Sequence, residues 1–186
     1  MNIRLAADLQ EDSIVDGEGI RTVLWTQGCP HHCPGCHNPQ THDFNGGILV
    51  DVEDVKDAID ELKGQDGLTF SGGDPFMQPK ECAEIARFAR EVGLNIWCYT
   101  GYTFEQLLAL SKKKPEIMEF LKEIDILVDG RFILEKKSYS ALFRGSTNQR
   151  LIDVKKSLEE GTVILKQEEE EVSFSYISKK KQGLYV

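Results

Sequence analysis

The sequence predicts an α/β protein built as a partial, open (βα) barrel with mostly parallel strands. Short apolar strands alternate with amphipathic helices between Thr22 and Val128, and each strand runs into a glycine-containing loop. The chain has 186 residues, whereas a closed eight-unit barrel typically takes roughly 250. The sheet is therefore expected to stay open on one flank, which suits a large substrate.

Thr22 to Thr26 reads as the first buried strand. The run from Gln27 to Pro39, with its cysteines, prolines and glycines, must be a loop. Asp51 to Lys63 carries Val52, Val55, Ile59 and Leu62 at spacings of three and four, an amphipathic helix ended by Gly64. Leu68 to Ser71 is a second strand leading into Gly72-Gly73-Asp74-Pro75. Pro79 opens a helix to about Val92, with Ile85, Phe88, Ala89 and Val92 inward and Gly93 closing it. Leu94 to Tyr99 is a third strand, followed by Thr100-Gly101-Tyr102. Helical patterns recur at Phe104 to Leu110 and Pro115 to Ile124, and Asp125 to Val128 is a fourth strand ending at Asp129-Gly130. In parallel sheets of this kind ligands gather at the carboxyl ends of the strands, where all four loops lie. A short helix near Asp153 to Glu160 follows, and Thr162 to Lys166 is expected to pair with Val172 to Ile177 around Glu168 to Glu171. The whole chain reads as one domain, with a C-terminal extension over about 159–186. The charge runs at Glu168 to Glu171 and Lys179 to Lys181 read as solvated surface.

Composition narrows the function. Hydrophobic residues make up 40%, enough for a core without disulfides. The net charge of −9 leaves no basic surplus to follow a phosphate backbone, so nucleic acid is excluded as a substrate. Residues 1–20 hold Asp8, Glu11, Asp12, Asp16 and Glu18 and no apolar run, so no signal pattern is present. No stretch reaches the roughly 20 apolar residues of a membrane helix. A cytoplasmic location is expected, where the five cysteines point to metal or catalysis rather than to disulfides.

Cys29-Pro-His-His-Cys33-Pro-Gly-Cys36-His37 places three thiols within eight residues, close enough to share one inorganic cluster. A cubane has four irons, so three local thiolates leave one iron open to a substrate or cofactor. The same segment also fits a Cys₃His zinc site made with His37. Its C-x-x-C-H run satisfies the haem-attachment pattern, although the missing export signal and the extra Cys29 argue against haem. His31 and His32 read as exposed loop residues. Cys82, on the apolar face of a helix, and Cys98, in a strand, read as core.

The C-x₃-C-x₂-C spacing resembles that of the radical S-adenosylmethionine superfamily, and the expected barrel is accordingly of that superfamily's type. One departure is Gly35, where an aromatic residue commonly precedes the last cysteine. Gly72-Gly73-Asp74 resembles the superfamily's Gly-Gly-Glu/Asp loop. A wider set of motifs is similar to the family of anaerobic ribonucleoside-triphosphate reductase activating proteins, in the same order from about residue 13 to 155. These are Asp16-Gly-Glu-Gly-Ile-Arg21-Thr22, Gln27-Gly28-Cys29, Ile96 to Tyr102, Leu127 to Phe132 and Phe143 to Gln149.

The resemblance implies that Cys29, Cys33 and Cys36 ligate one [4Fe–4S] cluster. It implies that Gly35, Cys36, His37, Gly72, Gly73 and Asp74 contact S-adenosylmethionine, with Thr100 and Asp129 as further contacts. Arg144 is either a fork for a carboxylate of cofactor or partner, or a surface arginine. The implied activity is that of a radical S-adenosylmethionine oxidoreductase, a glycyl-radical-activating enzyme. It cleaves S-adenosylmethionine reductively to a 5′-deoxyadenosyl radical and installs a glycyl radical on the anaerobic ribonucleoside-triphosphate reductase. Reduced flavodoxin or ferredoxin is the implied electron donor. The rival readings are a compact radical enzyme acting on a small molecule, like the deazaguanine-forming synthases, and a zinc or electron-carrier module.

Overall fold

The computed structural model describes residues 1–167, and the expected pairing of Val172 to Ile177 lies outside them. The chain order is β1 (Asn2–Leu5), β2 (Gln10–Ser13), β3 (Arg21–Thr26), β4 (Ile48–Asp51), α1 (Val52–Glu61), β5 (Gly67–Gly72), α2 (Pro79–Glu91), β6 (Asn95–Tyr99), α3 (Phe104–Ser111), α4 (Pro115–Glu123), β7 (Ile126–Asp129), β8 (Arg150–Asp153) and α5 (Val154–Glu160). One sheet takes all the described strands in the order β4-β1-β3-β5-β6-β7-β8, with β2 also paired to β3. The centre, β3-β5-β6-β7, is parallel. The flanks are antiparallel: β4 on β1, β1 and β2 on β3, and β8 on β7. The sheet is thus mixed, with a parallel centre, and it does not close.

The helices start where local chemistry provides for their free N–H groups. Asp51 accepts from Glu53 N at the start of α1, and Thr103 and Gln106 form a reciprocal capping box on α3. Pro79 and Pro115 open α2 and α4 at positions where a missing N–H costs nothing. Thr162 to Lys166 carries no regular strand. It touches the sheet through a single bridge between Leu165 and Ile152.

Strand alternation divides the sheet into two unlike faces. Leu24, Leu68, Phe70, Ile96, Cys98, Leu127 and Ile152 point into the main core with the helices. There Phe120 of α4 meets Phe70 at 5.1 Å and Phe76 at 4.9 Å between ring centroids. The opposite, helix-free face carries Trp97, Val128 and Leu151, with Tyr99 and Phe143 packed against them. At the amino ends of the strands this face buries Arg21 completely. Arg21 donates to Thr69 Oγ1, Asn95 Oδ1 and the carbonyls of Glu18, Leu68 and Asn95, and it lies over the Trp97 ring. Burial lowers its pKa to about 10, yet it stays charged at neutral pH. Its neutral acceptors meet the cation's hydrogen-bonding demand.

Because Phe120 joins α4 both to β5 and to the turn that follows β5, Phe120→Ala should destabilise the fold by about 3–5 kcal/mol. Urea unfolding followed by circular dichroism would measure this.

Candidate iron–sulfur and cofactor site

The carboxyl ends of β3, β5, β6 and β7 surround a cavity of about 460 Å³, a volume suited to a cofactor-sized ligand. Cys29, Cys33, Cys36 and His37 wall one side, Gly72 and Gly73 a second, and Thr100, Gly101, Gly130 and Phe132 a third. The cavity also runs down the helix-free face of the sheet. There Gln10, Val15, Asp16, Trp25, Ser71 and Tyr99 line it. Trp25, Ser71 and Tyr99 share a strand face with Thr69 and Trp97, so strand alternation alone places them here.

The cysteine loop is closed by its own backbone. Gly28 N donates to Thr41 O at 2.8 Å, and Cys29 N to His42 O at 3.2 Å. Gln27 Nε2 donates to the carbonyls of Gln40 and Asp43. A short 3₁₀ turn at Pro39–Thr41 completes the return. Desolvation pushes the Cys29 thiol up to about 11 and raises Cys33 as well, so a metal must displace protons to bind there. Among the described residues no three His, Cys, Asp or Glu side chains converge on one metal-ion position. A cubane instead asks each thiolate to meet a different iron, and three thiols on one cavity wall fit that demand. Cys82 and Cys98 are fully buried away from the cavity, where burial pushes both thiols well up.

Gly73 shows why backbone can approach so closely here. It donates to Thr26 O, and the next residue, Asp74, donates from its N–H to Gly28 O at 2.9 Å. A Cβ on Gly73 would stand 2.4 Å from Gly28 O. The absent side chain therefore makes room for the cysteine loop rather than for a ligand. Pro75 leaves Asp74 extended, at φ −128° and ψ 114°. Its carboxylate is fully buried and is not on the cavity wall. It accepts from Phe76 N, Thr100 Oγ1, Gly101 N and His31 Nε2.

Tertiary packing decides where four of the expected residues stand, and it overturns one expectation, the exposure of His31. Asp74 stands behind the cavity wall, where its side chain braces the loops. Asp129 is also turned inward. It shares the strand parity of Leu127, which faces the helices, so its carboxylate accepts from Arg150 and from Phe104 N while only its neighbour Gly130 reaches the cavity. Gly35 does not line the cavity either. It packs under Leu134 and Phe132, the aromatic ring that also sits 4.9 Å from His37. Finally, His31 is buried rather than exposed. His32 is exposed as expected and stands edge-on to His42.

Sequence reasoning passed over His42. It lines the cavity, and its Nε2 is buried with no hydrogen-bond partner among the described residues. Desolvation and the neighbouring His32 lower its pKa, which favours the neutral ring, and the unpartnered Nε2 is available to bond a ligand. No local signal marks this residue, because its position depends on the loop's return.

The fold and cysteine loop define a single-cluster iron–sulfur protein, and residues 15–152 match a family model described as a 4Fe-4S single cluster domain. Relatives named anaerobic ribonucleoside-triphosphate reductase-activating protein occur in Haemophilus influenzae and Escherichia coli K12. Each is 35% identical over 145 residues, covering 73% of this chain and 89% or 90% of the relative. The protein of the same name from Enterobacteria phage T4 is 38% identical over 145 residues, covering 74% of this chain and 86% of its own. The chain belongs to this family of anaerobic ribonucleoside-triphosphate reductase-activating proteins.

Two expected outcomes follow from the geometry. Cys29→Ala, Cys33→Ala or Cys36→Ala should abolish the [4Fe–4S] absorption after anaerobic reconstitution, whereas Cys82→Ala and Cys98→Ala should retain it. Gly73→Val should lower iron content as well as cofactor binding, because the added carbons push against the backbone beside Cys29. Iron and sulfide assays on the purified variants would check both.

Proposed function

We propose that this protein activates an anaerobic ribonucleoside-triphosphate reductase by generating a glycyl radical on it, using one [4Fe–4S] cluster and S-adenosylmethionine. The observation that carries the reading is the convergence of three loop thiols with the Gly72–Gly73 backbone on one cavity, in a chain of the activating-protein family. The partial barrel of the radical S-adenosylmethionine type is part of the same proposal, supported by the parallel centre and the open sheet.

Cys29, Cys33 and Cys36 would hold three irons of the cluster and leave the fourth facing the cavity. The Gly72–Gly73 backbone and His37 line the space where the methionine end of the cofactor would lie, and Thr100, Gly101 and Gly130 flank it. When bound, the reduced cluster supplies the electron that splits S-adenosylmethionine into methionine and a 5′-deoxyadenosyl radical, which takes a hydrogen atom from a glycine. Hydrogen transfer needs near-contact geometry, so a glycine on a large partner must enter the mouth of the cavity. The helix-free side of the sheet, with Val15 and Tyr99 on the wall, offers that approach. Reduced flavodoxin or ferredoxin is the proposed electron source.

Incubating the reconstituted protein with reductant, S-adenosylmethionine and the reductase should produce a glycyl radical signal by electron paramagnetic resonance. A reductase lacking its glycine segment should give none. If the intact proteins associate and cleave the cofactor without any glycyl radical, a small-molecule substrate becomes the better reading.

A further inference from the structure

His31 lies between two of the cluster cysteines, yet its ring is held by the neighbouring loops. It is only 9% exposed, and Nε2 lies 2.7 Å from Asp74 Oδ2. Asp74 accepts its other bonds from Phe76 N, Thr100 Oγ1 and Gly101 N, so His31 completes the set by donating through Nε2–H. The ring is also pressed against the third loop. A Cβ on Gly101 would come within 2.3 Å of His31 Cδ2, and Tyr102 stands edge-on at 4.6 Å.

Closure of the cysteine loop does not need this bond, because Gly28, Cys29 and Gln27 already tie the loop back to Gln40–Asp43. What His31 adds is sideways placement. It links the segment carrying Cys29 and Cys33 to the carboxylate that also holds Thr100 and Gly101.

We propose that His31 is a positioning residue. It sets the cysteine thiols against the Gly72–Gly73 and Thr100–Gly101 walls, so that the iron left open by cysteine faces the amino and carboxylate groups of S-adenosylmethionine. This inference rests on the proposed function for its ligand, and on geometry alone for the tie between loops. His31 also borders the cavity, but the role proposed for it is not ligation. It acts through Asp74 and through the path of the loop.

The test compares wild type, His31→Leu and His31→Gln. Leucine fills the space without a donor, and glutamine can place an N–H near the position of Nε2. Iron and sulfide per chain should be unchanged in all three proteins. The S-adenosylmethionine-induced change in the resonance spectrum of the reduced cluster should require roughly tenfold to hundredfold more cofactor in His31→Leu, the effect of losing one hydrogen bond to a charged group. His31→Gln should recover most of that loss. In the metal-free protein, amide exchange at Gly101, whose N–H donates to Asp74 Oδ2, should be about tenfold faster in His31→Leu than in wild type.

Wild-type cofactor affinity in His31→Leu would overturn the proposal. So would a parallel loss of iron and cofactor response that glutamine fails to rescue, since that pattern marks a residue needed only for folding the loop. If the wild-type cluster does not respond to S-adenosylmethionine, the proposed function fails instead. The Gly101 exchange comparison then decides by itself whether His31 ties the loops together.

Discussion

A single buried carboxylate organises this protein. Asp74 has no solvent contact, and a buried carboxyl group is tolerable only when its oxygens are supplied with hydrogen-bond donors. The donors come from three loops: Phe76 in its own, Thr100 and Gly101 after β6, and His31 in the cysteine loop. Loops that rise from separate strands are thereby held at one fixed spacing. Beneath them, Phe76 packs on Phe120 and transmits the rigidity of the helical core to the turn.

The sheet has a division of labour between its faces. The face under the helices is apolar and supplies stability. The other face lacks helices, and its strands carry Thr69, Ser71, Trp97 and Tyr99 in alternation. Near the amino ends the buried Arg21 organises this face. Arg21 Nε donates to Thr69 Oγ1, which donates in turn to the carbonyl of Asp16 on the cavity wall. Near the carboxyl ends the same face opens into the cavity. The Asp16 to Arg21 motif thus reaches from the structural end of the sheet to the functional end.

Burial raises the Cys29 and Cys33 thiols, and that shapes what the cysteine loop can do. A site that disfavours free thiolates at neutral pH binds metal only when the charge of the metal offsets the desolvation. The two core cysteines are more deeply buried still, and Cys82 donates to the carbonyl of Pro75. They pack as small apolar groups. The contrast explains how one chain can carry five cysteines and commit three of them to a single loop.

The sequence by itself determined the helices, the central strands and the cysteine loop, because each is written in local periodicity, in Gly and Pro punctuation or in close thiol spacing. It did not reveal β1, β2, β4 or β8, four-residue strands too short to carry a clear alternation and fixed by their pairing partners elsewhere in the chain. Motif reading also located the Gly72–Asp74 and Asp129 positions without saying where their side chains point. Only the tertiary structure decided that Asp74 and Asp129 turn inward, that His31 is buried beside Gly101, and that His42 faces the cavity. The physical reason is that a carboxylate or an imidazole takes its role from the donors and acceptors around it. Here those groups come from strands brought side by side only when the chain folds.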